Sequence, residues 1–276
     1  MTTPHADLAA LSALAATVRA RVVETSGRAE IPHLGSCLSC VDLLVALYWG
    51  VLRVDPAHPT APERDRFILS KGHAAPALFQ VLALRGFFPE AELAGYGSDG
   101  SRFAEHPPAH GVPGVEAATG SLGHGLPMGV GMALGARLHG LDARTFVLVS
   151  DGECNEGSTW EAAMMAGAQR LDRLTVLVDF NKWQATGRSR EVLALDPLAD
   201  KWTAFGWQAE EVDGHDLAAV LAALTRPADG SGRPRAIVAH TVKGKGVSFM
   251  EDDNNWHYRT PTPDEVAAAK RELGVA

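Results

Sequence analysis

Two oxygen-bearing residues thirty positions apart, Asp151 and Asn181, each follow an apolar run, Thr145 to Ser150 and Leu174 to Asp179. If both runs are strands, one carboxylate and one amide oxygen reach the same crevice. Hard oxygen ligands of this kind suit Mg²⁺ or Ca²⁺ rather than a soft metal. Mg²⁺ held by one or two protein oxygens completes its shell with waters and substrate phosphates. The pair therefore reads as a metal–diphosphate site at the carboxyl ends of parallel strands, where open α/β sheets place their ligands. Taken singly, Asp151 reads more readily as a helix N-cap and Asn181 as a turn residue. Their strand–helix–strand framing favours the metal site.

The flanking residues narrow the chemistry. Ser150-Asp151-Gly152-Glu153 and the stretch to Met164, followed by Val178 to Gly187, resemble the thiamine-diphosphate signature of the transketolase family. That signature is Gly-Asp-Gly, a spacer, then Asn; Ser150 stands here for its first glycine. Four further stretches agree in order and approximate spacing: Pro32–Ser36, Asp65–His73, Gly100–Pro107 and Pro113–Gly125. The resemblance runs from about Ala13 to the C-terminus.

The resemblance implies a fold, a cofactor and a division of labour. Asp151, the Asn181 side chain and the backbone carbonyl of Trp183 would hold Mg²⁺, with Ca²⁺ or Mn²⁺ as substitutes. Gly152 and Glu153 would open a helix whose free N–H groups favour phosphate. Gly120 and Leu122 match positions beside the aminopyrimidine, and Glu156 a carboxylate at the subunit interface. His33, His73 and His106 would line the substrate channel, and His257 would meet both diphosphate and substrate. Imidazole suits such tasks because small shifts make it acid or base near neutrality. Gly244 and Gly246 would form a flexible loop able to close over the site. His124 and His240 lie near the site with open roles, and His5, His58, His110, His139 and His215 carry no motif context.

The implied reaction is transfer of a two-carbon ketol unit from a ketose, expected to be a phosphate, to an aldose. The glutamate that activates the cofactor lies, in the family, on a pyrimidine-binding domain not found in these 276 residues. The expectation is one thiamine-diphosphate-binding domain over 1–276, nearly inactive until it meets a C-terminal subunit in an α₂β₂ assembly. Two rivals keep the motif: the alpha subunit of a 2-oxo-acid dehydrogenase first component, and a non-catalytic scaffolding subunit. The three channel histidines argue for sugar hydroxyls against the first, and the intact metal pair argues against the second. A dinucleotide oxidoreductase lacks its Gly-x-Gly-x-x-Gly after an early strand.

Composition fits this reading. Lysine and arginine number 25 against 33 acids, a formal charge of −8, which disfavours nucleic-acid or anionic-membrane binding. No segment reads as a signal peptide or a bilayer span, and three cysteines give no disulfide framework; the expected location is cytoplasmic. Cys37-Leu38-Ser39-Cys40 invites a redox or zinc reading, but its small, apolar surroundings favour buried thiols.

The elements that must position these residues read as a doubly wound, mainly parallel α/β sheet with helices on both faces. Strands are expected at Arg66–Ser70, Thr145–Ser150, Leu174–Asp179, Gln208–Val212 and Arg235–Thr241. Helices are expected from Asp7 to Thr25, Ser39 to Trp49, Glu156 to Arg170, Pro197 to Phe205 and Asp216 to Thr225. Lys71-Gly72-His73 should begin another. Gly123 to Gly140 is helically periodic through Leu126, Val130, Leu134 and Leu138, and its glycines predict close approach to the sheet or to a partner.

Overall fold

In the computed structural model, which describes residues 7–275, five strands alternate with helices. The chain begins with helices α1 (Leu8–Ala29), α2 (Leu34–Ser39) and α3 (Val41–Ala46), and a π-helical turn over Leu47–Val51 follows. Strand β1 (Arg66–Leu69) leads through a 3₁₀ turn at Gly72–Ala74 into α4 (Ala75–Leu84). Then come α5 (Gly125–Leu138), β2 (Thr145–Ser150), a 3₁₀ turn at Gly152–Asn155, α6 (Gly157–Ala168) and β3 (Leu174–Phe180). The remainder is α7 (Ser189–Val192), α8 (Leu198–Ala204), β4 (Gln208–Asp213), α9 (Leu217–Thr225), β5 (Arg235–His240) and α10 (Pro263–Glu272).

All strand pairs are parallel, in the order β1-β2-β3-β5-β4. The two-residue period of a strand divides the sheet between two cores. Phe67, Leu69, Phe146, Leu148, Leu177 and Ile237 face α1–α4 and α9. Their neighbours Ile68, Val147, Val149, Val176, Val178 and Val238 face α5, α6 and α8. A sheet covered on both faces explains why the inner strands are apolar at nearly every position. β4 is the exception: it lies at the edge and carries Glu210 and Glu211, a charge pattern that blunts edge pairing.

Several expected boundaries move, and α1 runs on past Thr25 to Ala29. The helix expected at Ser39–Trp49 begins five residues earlier, at Leu34, breaks at Cys40 and ends as the π turn. His33, at φ +69°, makes the sharp entry that lets α2 start at once. Lys71 stays outside the next helix, and Glu156 breaks the signature segment into a 3₁₀ turn followed by α6. The glycine-rich helix α5 packs as expected on its sheet side, where a Cβ on Gly129 would lie 2.5 Å from Val147. Gly131 and Gly135 meet nothing within 4 Å. No helix among the described residues is long and apolar enough to cross a membrane.

Candidate active site

The carboxyl ends of β1, β2, β3 and β5 converge on a buried polar cluster. Asp151 follows β2 and is fully buried. Its Oδ2 accepts from the Lys182 N–H at 2.9 Å and the Ser189 hydroxyl at 2.7 Å, and its Oδ1 from the Gly152 N–H at 2.9 Å. Lys182 sits at φ +70°, a tight bend that turns the chain so that the Trp183 N–H donates to Asn181 Oδ1 at 3.1 Å. Asp151 and Asn181 thus both accept from the backbone of the Lys182–Trp183 turn. Asp151 forms no ion pair among the described residues, and burial, aided by the nearby Asp179 charge, pushes its carboxyl up to about 6. A buried carboxylate without a counter-ion is costly, so a cation fits here chemically. The described residues hold no cluster of three or more His, Cys, Asp or Glu set to bind metal. Asparagine and a backbone carbonyl would have to complete the set.

The N–H groups of Gly152 and Glu153 are not free as expected. The first donates to Asp151, and the second donates to the Ser150 hydroxyl at 3.1 Å. Ser150 therefore does something a glycine cannot. Glu153 is buried, and its carboxylate accepts from Ser70, from the Gly123 N–H at 2.8 Å and from the Ser150 N–H at 3.3 Å. It ties three loops together at the strand ends. Gln184 instead keeps a buried Nε2 with no partner among the described residues, beside Gly152, and is free to donate to an anionic oxygen.

Histidines gather next to this cluster. The rings of His33 and His73 are 5.3 Å apart, His33 and His257 4.8 Å, and His73 and His257 6.1 Å. His106 packs against Gly120, where an added Cβ would lie 2.8 Å from the imidazole. Burial lowers the pKa of His33, drives that of His73 well below the ordinary value and pulls that of His257 down to about 3, with neighbouring cations adding to each shift. All three rings favour the neutral form at pH 7, His73 and His257 most strongly, while the Glu105 carboxylate opposes the shift at His33. Buried Nδ1 of His33 has no partner among the described residues. Nδ1 of His257 faces Lys243 Nζ at 3.1 Å, and that lysine also donates to Asn254 at 2.8 Å. Burial and the charge of Lys71 bring Lys243 down to about 8.

Several members were not legible as motif residues. Lys71, fully buried, pairs with Asp179 at 2.5 Å and donates to the Ser36 carbonyl at 2.9 Å. Asp179 also accepts from Ser39 at 2.6 Å and from Thr241. This pair bolts β1 to β3 directly behind Asn181; both residues lie inside stretches that carry the resemblance, but nothing in the sequence marks them as partners. His215, without motif context, bridges Asp42 at 2.7 Å and the Val242 N–H at 2.9 Å. Lys243 lay inside the Gly-rich loop, which is a packed turn rather than an open flap. The Gly244 N–H donates to the Gly35 carbonyl at 2.9 Å, and Val247 and Met250 are buried.

The remaining expected residues are placed as follows. Leu122 lies in the loop before α5, with its carbonyl 3.2 Å from His124 Nδ1. Glu156 is exposed at the start of α6. His240 pairs with Glu211 at 2.8 Å on the edge of the sheet. His58, His110 and His139 are exposed, and His5 lies outside the described residues. Cys37, Cys40 and Cys154 are free and buried. Burial raises all three thiols, Cys40 to about 12, so the Cys-x-x-Cys pair is structural.

A parallel sheet bearing a cation-hungry carboxylate and neutral imidazoles at its carboxyl ends defines a cofactor-binding α/β enzyme domain. Residues 11–276 match the family model for the transketolase thiamine diphosphate binding domain. The chain is 41% identical to one of the subunits of the apulose-4-phosphate transketolase of Phocaeicola vulgatus, over 92% of this chain and 90% of that one. It is 40% identical to the SqwG subunit of the 6-deoxy-6-sulfo-D-fructose transketolase of Clostridium sp., over 93% of each. A crystal structure of a Pichia stipitis transketolase mutant superposes with a TM-score of 0.90 at 29% identity, over 96% of this chain and 41% of that one. The chain therefore spans about two fifths of the length of that solved transketolase. It belongs to the transketolase family.

Proposed function

We propose that this chain is the diphosphate-binding subunit of a two-chain transketolase that moves a two-carbon ketol unit from a ketose to an aldose. The observation that carries the reading is the buried, unpaired Asp151, joined to Asn181 through the Lys182–Trp183 turn. Asp151, Asn181 and the Trp183 carbonyl would hold Mg²⁺, or Ca²⁺ or Mn²⁺ in its place, and Gln184 would donate to the diphosphate. Gly120 and Leu122 would border the aminopyrimidine. Thiamine diphosphate, when bound, supplies the electron sink that the protein cannot. The chain's own residues then position sugar and protons. Neutral His33 and His73, with His106 beside them, accept and return hydrogen bonds from sugar hydroxyls. His257, whose Nδ1 accepts from Lys243, carries its proton on Nε2 and can donate it.

Two relatives of nearly equal length are named as transketolase subunits, which supports a separate partner chain; we place the pyrimidine-binding domain on that partner, in an α₂β₂ assembly. Leu138, Met164 and Met165 are exposed on α5 and α6, and Gly131 and Gly135 leave the α5 backbone open. These features, with exposed Glu156, suit a covering chain. Three free thiols suit the cytoplasm. Ketol transfer measured for this chain, for its candidate partner and for their mixture tests the proposal. Turnover should need both, and robust turnover by this chain in isolation would refute it.

A further inference from the structure

The opposite end of the sheet holds a cavity of about 650 Å³ that takes no part in the ketol-transfer site. It lies at the amino ends of the strands, about 17 Å from that site along six-residue β2 at the usual rise. Its volume falls within the ~300–1,000 Å³ of small-molecule sites. In a chain of net charge −8, six arginines line it: Arg53, Arg85, Arg144, Arg173, Arg226 and Arg235.

Local structure accounts for much of this charge, but not all. Asp65 pairs with Arg53 at 2.8 Å and Arg144 at 2.6 Å, and Asp142 with Arg53 at 2.7 Å and with Arg173. Glu210 pairs with Arg226 at 2.7 Å and Arg235 at 3.3 Å. With Asp172 in the lining, four carboxylates face six guanidiniums, a surplus of two positive charges. Arg235 and Arg144 also cap carbonyls, at Leu224 on α9 and at Val51 on the π turn. Arg85 has no such employment. Its side chain makes no hydrogen bond or ion pair among the described residues, its Nε is buried without a partner, and its guanidinium lies 5.4 Å from the Trp49 ring centroid. An orphaned buried donor is unfavourable until an acceptor reaches it.

The wall bearing Trp49 is itself unusual. Leu47–Val51 forms a π-helical turn, closed by the Leu52 N–H to the Leu47 carbonyl at 2.8 Å, and such turns concentrate at functional sites. Gly50 allows it, since a Cβ there would lie 2.3 Å from Leu221 on α9.

We infer that this cavity is a second ligand site, for a phosphorylated organic anion. Arg85 and the unpaired donors of Arg173 and Arg226 take the phosphoryl oxygens, and Trp49 takes the carbon portion. Arginine forks match phosphate geometry, and a planar aromatic wall suits an organic group rather than a bare ion.

The test is calorimetric titration of the protein as purified, with any partner it carries, in saturating thiamine diphosphate and Mg²⁺. ADP is the probe; adenosine and inorganic pyrophosphate are controls lacking one half of it. ADP should bind once per chain, adenosine should not bind detectably, and pyrophosphate should bind more weakly than ADP. Arg85→Gln should weaken ADP by at least about tenfold, as loss of a charge-assisted contact does, and leave thiamine diphosphate affinity unchanged. Arg226→Gln, at the exposed rim, should weaken ADP too and serves if Arg85→Gln does not fold. No ADP binding, or ADP binding indifferent to both substitutions, would overturn the inference. Absent thiamine diphosphate binding would instead count against the active-site proposal, and the ADP titration would still report on this cavity.

Discussion

Replacing Asp151 by asparagine should stabilise the cofactor-free chain at high pH while destroying its ability to bind cofactor. The carboxyl titrates at about 6 in the folded protein against 3.8 when unperturbed, because burial opposes its charge. The folded state thus holds the proton more tightly than the unfolded state. Stability from this group is complete below about pH 4 and is lost as pH rises through about 6, by about 3 kcal/mol in all. Roughly half of that loss falls between pH 5 and pH 8. Asparagine removes the titration but turns one acceptor oxygen into an amide, facing the Lys182 N–H and the Ser189 hydroxyl that Oδ2 now accepts from. That costs about 1 kcal/mol at every pH. The variant should be less stable than the parent near pH 4 and more stable by about 2 kcal/mol at pH 8, a few degrees in melting temperature. Melting curves of both proteins without metal or cofactor, from pH 4 to 8, read this crossing. Histidine titration contributes to both and cancels in the difference. A constant deficit for Asp151→Asn at all pH values would show that the buried carboxyl does not take up its proton near pH 6. In parallel, calorimetry should show Mg²⁺-dependent thiamine diphosphate affinity reduced by about a hundredfold or more.

Other consequences follow from individual contacts. Gly120→Ala, at φ +147° and with its Cβ 2.8 Å from His106, should lower ketol transfer by about tenfold with the fold retained, read by assay and circular dichroism. Lys71→Met should cost about 3–5 kcal/mol by leaving Asp179 charged and buried, and adding Asp179→Asn should restore most of it, as a double-mutant cycle in denaturant would show. Lys243 should be about half neutral near pH 8, read from the pH dependence of its side-chain NMR signals; a midpoint that stays near 10 would contradict the effect of its burial and of the Lys71 charge. Cys37, Cys40 and Cys154 should resist thiol reagents in the native state and react once the chain is unfolded.

The sequence made the strand ends readable because a doubly covered sheet demands unbroken apolar runs, and Thr145–Ser150 and Leu174–Phe180 stop where Asp151 and Asn181 begin. What stayed hidden depends on contacts between distant residues. Nothing local marks Lys71 as the partner of Asp179, or Ser39 and Thr241 as its further donors. A serine replacing glycine gives no hint that its hydroxyl will occupy the Glu153 N–H. Glycines at 244 and 246 suggested motion; at Gly244 the missing Cβ instead makes room for the Met250 carbonyl, 2.1 Å from where it would stand. The histidines were found by type and context, but neutrality through pH 7 comes from burial among Lys71, Lys243 and each other. Sequence neighbours do not reveal such surroundings.

Native mass spectrometry of the chain purified gently from its own host, with thiamine diphosphate and Mg²⁺ present, reads the two-chain assembly and its cofactor together. A heterotetramer of this chain and a second polypeptide, with two cofactors bound, is the expected species. A species of this chain that transfers ketol units with no second polypeptide, or a heterotetramer that takes up no thiamine diphosphate, would contradict it.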